Sequence, residues 1–86
     1  MFHVEFTPAA GRDLRRLDAY VRSQLLRAAT VLAETPHPSS SRRIKLLVGL
    51  QPAHFRLRVG DYRIIYRIEG DRVIVVRVAH RREAYR

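Results

Sequence analysis

An α+β fold in the order β-α-α-β-β-β is predicted by three features of the 86-residue chain: an alternating apolar start, two helical stretches that each open on a capping residue, and three strand-rich runs divided by Gly-Asp pairs. The expected architecture is an N-terminal strand, a two-helix hairpin packed on a mostly antiparallel sheet, and a C-terminal three-strand meander. A chain this short has room for one core, so residues 1–86 are read as a single domain.

Phe2-His3-Val4-Glu5-Phe6 has the period of a half-buried strand, with Phe2, Val4 and Phe6 inward. Thr7-Pro8 then opens a helix, because a threonine oxygen caps an orphan N–H and proline has none to satisfy. That helix is expected to reach about Leu17. Asp18 is the second capping residue, and Val21, Leu25, Ala28 or Ala29, and Leu32 recur at helical spacing up to Glu34. Pro36 and Pro38 end this helix, after which Arg42-Arg43 with Ile44, Leu46 and Leu47 lead into a turn at Gly49 and Pro52. His54 to Val59, Tyr62 to Glu69 and Arg72 to Ala79 are the strands of the meander, joined by Gly60-Asp61 and Gly70-Asp71.

Two-residue turns fix a register. Val59 then opposes Tyr62, Leu57 opposes Ile64 and Phe55 opposes Tyr66, which makes one apolar face. The other face carries His54, Arg56 and Arg58 beside Arg63, Ile65 and Arg67, with Arg58 directly across from Arg63. Opposed like charges cost a few tenths to about 1 kcal/mol, and an anion between them reverses the sign. An unbroken register in the last, nearly all-apolar strand puts His80 on the side of Arg58 and Arg63 and Arg77 on the core face; a bulge exchanges the two.

Composition narrows the partner. With 47% apolar and 29% charged residues the chain folds, and with 17 Lys plus Arg against 8 Asp plus Glu it carries a formal charge of +9. Sixteen of the 17 basic residues are arginine and only Lys45 is lysine, a balance suited to forked phosphate contacts, although a GC-rich genome inflates arginine too. Their placement therefore decides. There is no cysteine, so neither disulfides nor a cysteine metal site are available. No stretch resembles a signal peptide or a membrane span, and a cytoplasmic protein with no membrane partner is expected. Scattered histidines give no metal-ligand spacing, and no Gly-rich phosphate loop or nucleophile elbow is present, so no metal or cofactor is expected.

Phe55-Arg56-Leu57-Arg58-Val59-Gly60-Asp61-Tyr62-Arg63-Ile64-Ile65-Tyr66, followed by Val78-Ala79-His80-Arg81-Arg82-Glu83-Ala84-Tyr85-Arg86, resembles the second half of a RelE-type toxin, and the element order agrees over the whole chain. The resemblance implies the toxin of a type II toxin-antitoxin pair, a ribosome-dependent endoribonuclease that cuts messenger RNA without a metal and is silenced by a cognate acidic antitoxin. Free toxin is expected to be monomeric. The superfamily also holds ParE-like gyrase poisons, and a non-cleaving nucleic-acid-binding toxin is the other alternative.

Carried over by position, the family's basic pair falls on Arg56 and Arg58, its third-strand arginine on Arg63, its last-strand arginine on Arg81 and its C-terminal tyrosine on Tyr85. The best-studied branch has lysines at the first two of these. Arginine, with a pKa above about 12, is no base at pH 7. By chemistry His80 is the first acid-base candidate and Glu83 the second. The expected catalytic set is Arg58, Arg63, His80, Arg81 and Tyr85, with Arg56, Arg67 and Arg82 binding RNA. Each has a plainer role beside it: His80 ending a strand, Tyr85 packing on the core, Glu83 pairing with Arg81 or Arg82.

Overall fold

A computed structural model describes residues 1–83. Tyr85, and with it the family's C-terminal tyrosine position, lies outside the described residues. Strand β1 (His3–Phe6) leads to Thr7, whose Oγ1 accepts the Ala10 N–H at 3.2 Å, and Pro8 opens helix α1 (Pro8–Arg15), two residues short of Leu17. Asp18 caps helix α2 (Ala19–Leu32) by accepting the Val21 N–H at 3.0 Å. Both caps were legible because side-chain oxygens one turn ahead of an apolar stripe have few other uses.

The remaining strands are β2 (Ile44–Leu47), β3 (His54–Val59), β4 (Tyr62–Glu69) and β5 (Arg72–His80), in the sheet order β1-β5-β4-β3-β2. Among the described residues only β1 and β5 pair parallel. The expected α+β order is present, and β2 is an addition: residues read as leading into a turn pair with β3 instead. Gly60 and Gly70 turn the two hairpins with φ of 57° and 58°, a region where a side chain would be strained. Ala10 and Leu14 of α1 and Leu25, Ala29 and Leu32 of α2 cover Ile44, Leu57, Ile64, Tyr66, Val73, Val75 and Val78. Tyr66 is fully buried, and its hydroxyl donates to the Pro36 carbonyl at 2.6 Å; burial pushes this phenol well above its ordinary pKa. Phe6, expected inward, stays 39% exposed at the end of an edge strand. Among the described residues no helix is long and apolar enough to cross a membrane.

β5 is bulged, and this decides between the two placements that the sequence leaves open. Tyr66 pairs with Val75 but Ile65 pairs with Arg77, leaving Val76 without a partner. Thr7 pins the irregularity, donating its N–H to the Val75 carbonyl at 2.9 Å and its hydroxyl to the Val76 carbonyl at 2.9 Å. Beyond the bulge the faces exchange: Arg77 leaves the core face, Val78 enters it, and His80 pairs with Tyr62 and not in the row of Arg58 and Arg63.

β5 also outruns β1, so α1 lies along its uncovered edge. Asp13 Oδ2 accepts the Val78 N–H and the Arg77 Nε–H, each at 2.8 Å, while Oδ1 accepts an Arg77 Nη2–H at 3.1 Å. Burial works to raise the Asp13 pKa, but the Arg77 fork, the Val78 N–H and the charge of Arg16 outweigh it and hold the carboxyl below its ordinary value. Its stabilisation is thus complete above the ordinary carboxylate range and is lost as pH falls through the lowered value. Asp13→Asn is expected to cost about 1–3 kcal/mol near neutrality. Urea unfolding should show the gap to the native chain closing on acidification; a gap constant with pH would contradict this.

Candidate nucleic-acid interface

Side chains alternate across strands, so the sheet face turned away from α1 and α2 is set by the register. One row runs Leu47, His54, Arg67, Ile74 and the next runs Lys45, Arg56, Ile65, Arg77. A third joins Arg58, Arg63 and Ala79, with Arg43 beside Arg58, whose N–H donates to the Arg43 carbonyl at 2.9 Å. These three rows, with Arg43, carry seven arginine and lysine residues.

Carboxylates neutralise its periphery and leave its middle bare. Arg67 binds Glu69, which also binds Arg72 at 3.2 Å, and Arg72 reaches Glu5 at 3.3 Å. Arg67, expected to hold RNA, therefore sits on the face with its guanidinium already paired; that pairing also holds the Glu69 carboxyl below its ordinary pKa. Arg77 is held by Asp13 at the opposite border. Among the described residues Arg43, Lys45, Arg56, Arg58 and Arg63 have no ion-pair partner. On this face, uncompensated charge is thus concentrated at Arg43 and along β2, β3 and the start of β4.

Arg58 and Arg63 face each other as the sequence predicts, with Cα atoms separated by roughly 4.5–5.5 Å as in any antiparallel pair. Arg63 folds back on its own turn, donating from Nη1 to the Gly60 carbonyl at 3.0 Å and the Tyr62 carbonyl at 2.9 Å, and its buried Nε has no partner. Arg81 arrives at the same turn: its N–H donates to the Asp61 carbonyl at 2.7 Å, and its Nε lies 3.7 Å from Asp61 Oδ1. Three of the predicted arginines thus converge at the Gly60-Asp61 end of the sheet, with Arg56 one row away. Arg63 thus combines a buried donor without a partner with a place directly across from a second arginine, Arg58.

An open cleft of about 560 Å³ adjoins this end, lined by Leu47, Leu50 and Ile65 and bordered by Asp13, Arg16, Tyr62, His80 and Glu83. His80 packs edge-on against Tyr62, with ring centroids 5.4 Å apart. Its Nδ1 accepts the Arg82 N–H at 3.2 Å, which assigns the proton of the neutral ring to Nε2. His80 therefore borders the cleft as an N–H donor, while Glu83 has no ion-pair partner among the described residues and offers oxygen lone pairs. Arg82 is exposed just beyond the end of β5. Sequence reading missed Arg43, Lys45 and the apolar lining; the alternation of Ile44, Lys45 and Leu46 was the available signal, and four residues were too few to read as a strand.

The fold is a small mixed sheet backed by a helical hairpin, with arginines that have no ion-pair partner among the described residues on its open face. Residues 4–85 match the family model of the ParE toxin of type II toxin-antitoxin systems. Toxin RelE of Mycobacterium tuberculosis is 33% identical over 88 residues, covering 99% of this chain and 87% of the relative, and toxin RelE3 of Methanocaldococcus jannaschii is 31% identical over 85 residues, covering 95% and 93%. The toxin-antitoxin complex RelBE2 of M. tuberculosis superposes with a TM-score of 0.77 at 32% identity, covering 92% of this chain and 96% of that one. The chain belongs to the RelE/ParE family of type II toxin-antitoxin toxins.

Proposed function

We propose that this toxin is a metal-independent endoribonuclease that cuts messenger RNA on the ribosome and is held silent by a cognate acidic antitoxin. The observation that carries the reading is the position of the bare arginines beside a cleft bordered by acid-base groups. RNA brings its own nucleophile, the 2'-OH, so the protein must align it, neutralise the phosphorane, accept one proton and supply another. Arg58, Arg63 and Arg81 bind the non-bridging oxygens, where charge grows, and Arg56 holds a neighbouring phosphate. Glu83 accepts the 2'-OH proton, and the His80 Nε2–H donates to the reacting phosphate. Tyr85 stacks on a base or meets the 2'-OH. The apolar lining of the cleft suits an unstacked base.

The matched family description names ParE toxins, so poisoning of gyrase is the second reading, and one experiment separates the two. Brief expression followed by mapping of transcript 5'-ends, with and without translation, should yield new ends only while ribosomes are translating. Broken DNA with intact transcripts would instead support the gyrase reading. Single-turnover assays of ribosome-bound mRNA give a finer prediction: His80→Gln and Tyr85→Phe should slow cleavage on the order of 100-fold while ribosome affinity changes little. Parallel loss of rate and affinity would make both residues binding groups.

A further inference from the structure

We infer that Asp13 is a positioning residue of the proposed nuclease: from α1 it holds the outer edge of β5 where β1 gives out, and so fixes the strand end that delivers His80 and Arg81. The inference rests on the nuclease reading and deepens it. β1 makes its last pair between Phe6 and Val75, whereas β5 runs on to His80. A strand edge without a partner exposes its N–H and C=O groups to water and opens locally at low cost. The chain that follows β1 supplies the missing partner. Thr7 takes the Val75 and Val76 carbonyls, and further along Asp13 Oδ2 accepts the Val78 N–H at 2.8 Å.

The acid-base end of the site depends on this contact. Val78 lies two residues before His80 and three before Arg81. Past it, β5 is held from the β4 side: Ala79 pairs with Arg63, His80 with Tyr62, and the Arg81 N–H donates to the Asp61 carbonyl at 2.7 Å. Those contacts join β5 to a hairpin turn, while Asp13 ties it to the helical layer, and the two together set where the His80 ring stands against Tyr62, with 5.4 Å between centroids. The carboxylate is itself fixed. Its side chain is only 11% exposed, and Arg77 forks onto both oxygens, Nε–H to Oδ2 at 2.8 Å and Nη2–H to Oδ1 at 3.1 Å. Charge-assisted bonds of this kind add directional specificity as well as energy, which suits alignment. A misplacement of about 1 Å at a reacting group costs on the order of 100-fold in rate. Phosphate binding, by contrast, falls to Arg56, Arg58 and Arg63 on β3 and β4, whereas the hydrogen bonds of the Asp13 carboxylate go to β5.

The test is single-turnover cleavage of ribosome-bound mRNA at varied toxin concentration, with the nuclear Overhauser contact between the Tyr62 and His80 rings of the free toxin as a second readout. Asp13→Ala should lower the saturated rate by about 10- to 100-fold, leave the half-saturating concentration within about threefold of native, and weaken the ring contact. Asp13→Asn gives up the ion pair, but its amide oxygen still accepts the Val78 N–H, so its rate should return to within several-fold of native: rate then follows the Val78 contact and not stability. Arg77→Gln keeps that contact and removes the fork that orients the carboxylate; it should show the same split between rate and affinity at several-fold, and it decides the matter if Asp13→Ala does not fold. A native saturated rate in Asp13→Ala, or in Arg77→Gln where the alanine variant does not fold, would overturn the inference, as would an asparagine variant no faster than the alanine one or a half-saturating concentration that rises as far as the rate falls. A native chain that cuts nothing would overturn the nuclease reading and this inference together.

Discussion

Arg63→Ala is expected to abolish growth inhibition while leaving the chain folded. Losing one contact to a developing phosphorane charge costs on the order of 100-fold or more in rate, equivalent to about 3 kcal/mol of transition-state stabilisation. The effect on stability should be far smaller. Two hydrogen bonds to the Gly60 and Tyr62 carbonyls are lost, each with a net value of about 0.5–1.5 kcal/mol, but the substitution also removes a buried Nε without a partner and the repulsion from Arg58. These terms oppose each other. Arg63→Lys should fall between the native chain and the alanine variant, because it keeps the charge and loses the fork. Growth after induction, together with urea unfolding of each variant, is the measurement. Undiminished toxicity in Arg63→Ala would remove this residue from the site, and a collapse of stability would assign it to the hairpin turn instead.

How much of this arrangement could be read in advance depended on whether local chemistry decides it. Thr7 and Asp18 cap as expected, because a cap is a contact between residues three apart. The facing of Arg58 and Arg63 was equally legible, since a two-residue turn leaves only one register. The sequence left the faces of His80 and Arg77 open between an unbroken register and a bulge, and the deciding contact is non-local: the bulge at Val76 is held by Thr7, 69 residues away in sequence. The pairing of Arg77 with Asp13 spans 64 residues and is likewise invisible to periodicity. Lys45 and Arg43 were overlooked because β2 is only four residues long and acquires its meaning from β3. What the sequence concealed was thus the lateral order of groups across the sheet.

Co-expression with the product of the neighbouring reading frame is expected to restore growth and to yield a tight complex. A surface with five unpaired basic side chains on a molecule of charge +9 would bind any polyanion, so the partner implied by the family is a small acidic antitoxin. Its inhibitory segment should be disordered alone and fold on the toxin, with carboxylates against Arg56, Arg58, Arg63 and Arg81 and an amphipathic stretch over apolar surface. Val31 and Leu46, 62% and 54% exposed, are apolar positions available to it. Ordering such a segment costs several kcal/mol, yet the area wrapped still permits nanomolar affinity. Because opposite charges steer the encounter, salt should slow association much more than it speeds dissociation. Arg58→Glu on the toxin should slow association several-fold and flatten that salt dependence, as read by stopped-flow mixing at two ionic strengths. Purification of the toxin alone from the co-expressing strain, with growth still arrested, would mean that the neighbouring gene does not encode its antitoxin.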